Sequence, residues 1–174
     1  HAVPLSVEQR ESLGLHGPYV LHAGGASLRK NLAALADAWA LVEAKFPDIT
    51  LALSGPPHPR RTALFAPLAR TNLLGRVPRE LVPGLIAGAE AVVVPSLYEG
   101  FGLPVLEAMA AGTPVIAADA SSLPEVAAGA ALLVPPTGDG LAEGLGTLLN
   151  GEIDSAQLIA LGRERSAPFP WGRG

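Results

Sequence analysis

The chain has no cysteine, which excludes disulfide-stapled architectures and zinc sites built on thiolates. Aromatic residues are sparse at 5%, and charged residues make up only 16%. The 12 basic residues are spread along the chain and the net charge is −4, so there is no electrostatic footprint for nucleic acid. No apolar run approaches the ~18 residues that a membrane-spanning helix requires. The first residues do not read as a secretory signal, and the expected location is cytoplasmic. What the chain does hold is apolar and turn-forming material: 49% hydrophobic residues, 20 Gly and 17 Pro. That suffices for a packed core, and the 174 residues fit a single domain spanning residues 1–174.

Short apolar runs alternate with helical stretches. The runs are Tyr19 to Ala23, Ile49 to Leu53, Asn72 to Leu74, Ala91 to Val94, Pro114 to Ala117 and Ala131 to Val134. Most are apolar throughout rather than alternating, the pattern of parallel strands covered on both faces. Helices are expected at Val7 to Leu13, Asn31 to Lys45, Arg60 to Ala69, Arg79 to Ala89, Leu103 to Ala111, Leu123 to Ala128, Leu141 to Leu149 and Ser155 to Arg163. Pro67 should end or bend the third of these. The fold class is therefore α/β: a Rossmann-like doubly wound sheet of about six parallel strands with helices on both faces.

In such a sheet, ligands bind beyond the carboxyl ends of the strands, where the strand order reverses. With order 3-2-1-4-5-6, that point lies between the first and fourth strands. The loops following those strands are Gly24-Gly25-Ala26-Ser27-Leu28-Arg29-Lys30-Asn31 and Pro95-Ser96-Leu97-Tyr98-Glu99-Gly100-Phe101-Gly102. Topology thus brings a glycine-rich basic loop against a glycine-rich acidic one. Gly100 and Gly102 allow close backbone approach. Pro104 suits the first turn of the helix that follows, whose free N–H groups and partial positive charge suit phosphate. Arg29 and Lys30, expected at the opening of the helix after the first strand, face the same point. Glu99 precedes the helix and Glu107 lies roughly 6 Å along it, at ~1.5 Å per residue. A carboxylate accepts two hydrogen bonds from a vicinal diol. Sugar, diphosphate and ribose in that order match acid, helix start, acid.

The stretch from Pro95 to Ile116, with Glu99 and Glu107 in an E-x7-E spacing, closely resembles the signature of family 4 (group 1) retaining glycosyltransferases of the GT-B fold. Ser122-Leu123-Pro124-Glu125-Val126, Ala131 to Pro136, Arg29-Lys30-Asn31 and Phe169-Pro170-Trp171 extend the resemblance over roughly Tyr19 to Trp171. The last of these resembles the segment where the chain turns back towards the other domain. The resemblance implies a C-terminal donor-binding domain, with the N-terminal acceptor domain absent from this chain and the fragment alone inactive. It implies that Glu99 binds the transferred sugar. The backbone of Gly100, Phe101, Gly102 and Leu103 meets diphosphate and sugar, with Gly24 and Gly25 alongside. Glu107 holds the ribose, and Lys30 and Arg29 neutralise the departing diphosphate. The base packs near Ser54-Gly55 and Gly75-Arg76-Val77. Gly25 departs from relatives that carry a basic residue there. No cofactor and no metal is expected; the donor is a GDP- or UDP-sugar, with GDP-mannose the first guess. The expected acceptor is a saccharide or a lipid-linked one, which would bring the whole enzyme to the inner membrane surface.

Two other readings compete on the residues. An NAD-binding oxidoreductase domain shares the alternating pattern, but Gly24-Gly25 does not continue as G-x-G-x-x-G and no acid closes the second strand. A non-catalytic nucleotide-binding domain sits poorly with intact Glu99, Lys30 and Glu107. Among single residues, His22 reads as a hydrogen-bonded structural histidine, Trp39 as core, and Tyr98 and Phe101 as packing that orients the loop.

Overall fold

The apolar runs form six strands: β1 (Tyr19–Ala23), β2 (Thr50–Ser54), β3 (Thr71–Gly75), β4 (Ala91–Val94), β5 (Val115–Ala118) and β6 (Leu132–Val134). They build one all-parallel sheet in the order β3-β2-β1-β4-β5-β6, so the order reverses between β1 and β4. The structure is a computed structural model that describes residues 2–169; the expected turn at Pro170 and Trp171 lies outside the described residues.

Alternate residues of each central strand feed opposite cores. Tyr19, Leu21, Val92, Val94 and Val115 pack on one face, while Val20, Leu51, Leu53, Val93 and Ile116 pack on the other. This two-sided burial is the reason the strands read as continuous apolar runs. The first core is covered by α4 (Val82–Ala87), α5 (Leu103–Ala110) and α6 (Leu123–Ala127). The second is covered by α2 (Leu32–Lys45), α3 (Pro59–Phe65) and α7 (Gly138–Leu149). Trp39 of α2 is fully buried, and its indole N–H donates to the Arg70 carbonyl at 2.9 Å. Burial of a side chain of that size makes Trp39→Ala cost about 3–5 kcal/mol. The remaining helices are α1 (Val7–Ser12), closed by a Ser6–Gln9 capping box, and α8 (Ser155–Ser166), which lays Gly162 against Met109 of α5.

Proline sets several helix limits. α3 stops at Phe65, two residues short of Pro67, and α4, α5 and α6 each carry a proline in their first turn. The expected helix from Arg79 to Ala89 divides into a 3₁₀ turn at Arg79–Leu81 and α4. A second difference lies closer to the switch point. Arg29 and Lys30 do not open α2 but occupy a separate 3₁₀ turn, Leu28–Lys30. Asn31 follows with φ 60 and ψ 38, a left-handed conformation that asparagine tolerates and that reorients the chain before α2.

Candidate functional site

Beyond the carboxyl ends of β1 and β4, two loops are joined backbone to backbone: the Leu97 amide donates to the Arg29 carbonyl at 2.9 Å. Asn31 fixes their spacing. Its side-chain amide donates to the carbonyls of Pro95 at 2.9 Å and Pro136 at 3.1 Å, tying the loops after β1, β4 and β6 together. Lys30 and Glu99 meet across this junction. Lys30 Nζ lies 2.7 Å from Glu99 Oε1, and the Ser96 hydroxyl donates to the same oxygen at 2.8 Å. Glu99 is buried to 9% exposure, a burial that a carboxylate tolerates when paired and hydrogen-bonded in this way. Arg29 is exposed, and among the described residues its side chain forms no ion pair.

Glycine loops surround the acid. Gly102 caps α5 at φ 72, with no side-chain cap on the helix start. Among the described residues, the amides of Gly100, Phe101, Gly102 and Leu103 donate to no backbone carbonyl. They are unspent donors at the positive end of a helix. A Cβ placed on Gly25 or Gly100 would meet nothing within 4 Å, so both glycines border open space. Glu107 lies on the exposed side of α5, and partial burial of its carboxyl raises the pKa above the ordinary glutamate range. Tyr98 is 58% exposed, which corrects its expected packing role, whereas Phe101 makes an edge-on contact with Phe169.

The loops expected near a base also adjoin. The Gly55 amide donates to the Gly75 carbonyl at 2.8 Å. Gly55 has φ +135, and a Cβ there would fall 2.2 Å from the Gly24 carbonyl oxygen, so only glycine allows this approach. Arg61 of α3 clamps the same corner: its guanidinium donates to the Gly24 carbonyl and, at 2.6 Å, to the Pro56 carbonyl. His22 stands next to it, 2% exposed, with its Cε1 3.8 Å from the position of a Gly24 Cβ. Its Nδ1 has no hydrogen-bond partner among the described residues, which corrects the expectation of a hydrogen-bonded histidine. Burial, reinforced by the Arg61 and Lys30 charges, pushes its pKa down to about 3, so the imidazole is neutral at pH 7.

Sequence reading missed Asn31 as a tie, Ser96 as a partner of Glu99, and Arg61. Ser96 was within reach of inspection, three residues before the acid. Nothing in Arg60-Arg61 tells which arginine turns inward. Among the described residues, no three His, Asp or Glu side chains converge as a metal-ligand set.

Sheet order, two-sided helix cover and the paired glycine loops define one Rossmann-like half of a GT-B fold. The chain belongs to the group 1 glycosyltransferases, whose family model matches residues 7–165. It is 38% identical over 118 residues to O-antigen chain mannosyltransferase B of Escherichia coli, covering 62% of this chain and 30% of that protein. It is 43% identical over 97 residues to the MMP alpha-(1->4)-mannosyltransferase of Mycolicibacterium hassiacum, covering 53% of this chain and 24% of that one. Among solved structures, sucrose-phosphate synthase from Thermosynechococcus elongatus superposes with a TM-score of 0.81 at 32% identity, over 97% of this chain and 46% of the synthase. The chain spans less than a third of each of these two mannosyltransferases and under half of the synthase.

Proposed function

We propose that the chain is the donor-binding domain of a retaining glycosyltransferase that transfers mannose from GDP-mannose to a saccharide or lipid-linked acceptor. The observation that carries the proposal is the buried Glu99 carboxylate, held by Lys30 and Ser96 next to the free amides of residues 100–103. Glu99 has a second oxygen for sugar hydroxyls. The amides and the start of α5 receive the diphosphate. Lys30 is close enough to Glu99 to neutralise charge on the leaving diphosphate, with Arg29 available from the exposed side. Glu107 takes the ribose diol. In this reading the leaving group is stabilised by amides, helix end and cations, without a metal or cofactor. Mannose as the transferred sugar draws support from the names of the two curated relatives.

The acceptor half belongs to an N-terminal domain outside this chain. In favour of such a partner, Leu28, Leu97, Tyr98, Phe101 and Leu103 all stand exposed on the two site loops and the start of α5. Exposed apolar side chains gathered at one place mark an interface rather than a free surface. The full enzyme is assigned to the cytoplasm, at the inner membrane face where the acceptor is lipid-linked. A dinucleotide-binding reading lacks its acid: β2 closes on Ser54.

Titration of the chain with GDP, UDP and GDP-mannose by calorimetry should give a sub-millimolar Kd for at least one guanosine compound. In the full-length enzyme, Glu99→Ala should lower kcat by about 10²–10³, the range for removal of one preorganised polar group. Full activity in that variant would remove Glu99 from the site, and a folded chain that ignores every nucleotide would end the donor reading.

A further inference from the structure

The loop that carries Glu99 rests at three points on α6 and the two serines that precede it. The Glu99 carbonyl accepts from the hydroxyls of Ser121 and Ser122. Gly102 leaves room for Val126, whose Cγ1 would lie 2.9 Å from a Cβ at that position. The third support is indirect and involves the far end of the chain. The Phe101 ring meets the Phe169 ring edge-on, with centroids 6.4 Å apart and planes at 83°. The Arg165 guanidinium lies over Phe169, 5.8 Å from the ring centroid. Arg165 in turn donates to the carbonyls of Val126 at 2.9 Å and Glu125 at 3.4 Å, both on α6. The Phe169 amide donates to the Ser166 carbonyl at 3.0 Å, so the ring is positioned from the end of α8.

Phe101 sits between two glycines, one of which, Gly100, borders open space. A segment of that composition has little stiffness of its own, so an outside brace decides where its amides point. Phe101 is 61% exposed, and Phe169 provides its one ring contact among the described residues. Resting on the donor-site reading above, we propose that Phe169 is a positioning residue for the donor: it braces Phe101, and so links nucleotide occupancy of residues 100–103 to the seating of Phe169 at the end of α8. The linkage is reciprocal. A brace that favours donor binding is itself favoured by bound donor.

Both directions can be read. Calorimetry with GDP and UDP on the parent chain, Phe169→Ala and Phe169→Tyr should show about three- to tenfold weaker binding for the alanine variant, the loss expected for one aromatic pair. The tyrosine variant should stay within about twofold of the parent, because its ring keeps the edge-on contact. In the reverse direction, hydrogen exchange of the Phe169 amide, which donates to the Ser166 carbonyl at 3.0 Å, should slow when nucleotide saturates the parent and should not change with nucleotide in Phe101→Ala. Equal affinity in parent and folded Phe169→Ala overturns the inference, as does Phe169 amide exchange in the parent that is indifferent to bound nucleotide. Should Phe169→Ala fail to fold, the exchange experiment decides. A parent chain that binds no nucleotide overturns the donor reading, and this inference falls with it.

Discussion

His22 is a buried imidazole beside two cations, and its depressed pKa has a consequence for stability. In the unfolded chain it titrates near 6.5. Above that pH both states are neutral at this residue and nothing is lost. As the pH falls below 6.5 the unfolded state binds a proton that the folded state refuses until about pH 3, so stability drains away across that window. Between pH 7 and pH 5 the loss from this residue is about 2 kcal/mol. Urea denaturation at the two pH values should show that drop in the parent and a smaller one in His22→Gln. Parallel pH profiles for the two proteins would refute the assignment. Glu107, whose pKa is raised, acts in the opposite sense and is common to both proteins. Glu99, Lys30 and the glycines could be singled out as candidates from the sequence because their types and spacing suit that chemistry, and the structure brings Lys30 and Glu99 together. It did not reveal Arg61 or the lone Nδ1 of His22, since which side chain turns inward depends on α3 lying across the β1 loop.

Strands were the most legible elements. Each interior strand is buried on both faces, and continuous apolar runs such as Ala91–Val94 follow from that burial. Edge strand β3 was harder to read, being only partly buried, with Leu73 40% exposed. Pro67 was legible as a break in the expected helix Arg60 to Ala69, which stops at Phe65, whereas the division of Arg79 to Ala89 at α4 was not. The 3₁₀ turn at Leu28–Lys30 was not, because a single left-handed residue, Asn31, separates it from α2. The start of α5 offers a prediction that separates shape from stability. Gly102→Ala places a Cβ against Val126 at φ 72, and should cost about 1–2 kcal/mol in thermal or urea denaturation. Gly100→Ala projects into open space, so its stability should stay within about 0.5 kcal/mol of the parent while nucleotide affinity drops. A Gly100→Ala variant that binds nucleotide as well as the parent would show that the space is not used.

At the scale of the molecule, the loops that carry the proposed donor site come from both halves of the sheet, after β1 and after β4. Ligand that binds only the folded form should raise stability by about 2.7 kcal/mol at a hundred times its Kd. Denaturation with and without GDP measures that shift, and no shift at saturation would contradict binding to the folded chain. Asn31 gives the arrangement a temporal meaning. Strands β1 to β3 and the helices between them come from the first 75 residues, whereas the carbonyls that Asn31 holds belong to Pro95 and Pro136. During synthesis, the first three strands can therefore pair while the second half is still unmade. The contacts of Asn31 form only once the second half of the sheet has joined the first. A chain arrested after β3 would hold neither Glu99 nor the amides of residues 100–103, so on the proposed reading affinity for nucleotide is acquired at the final joining of the two halves.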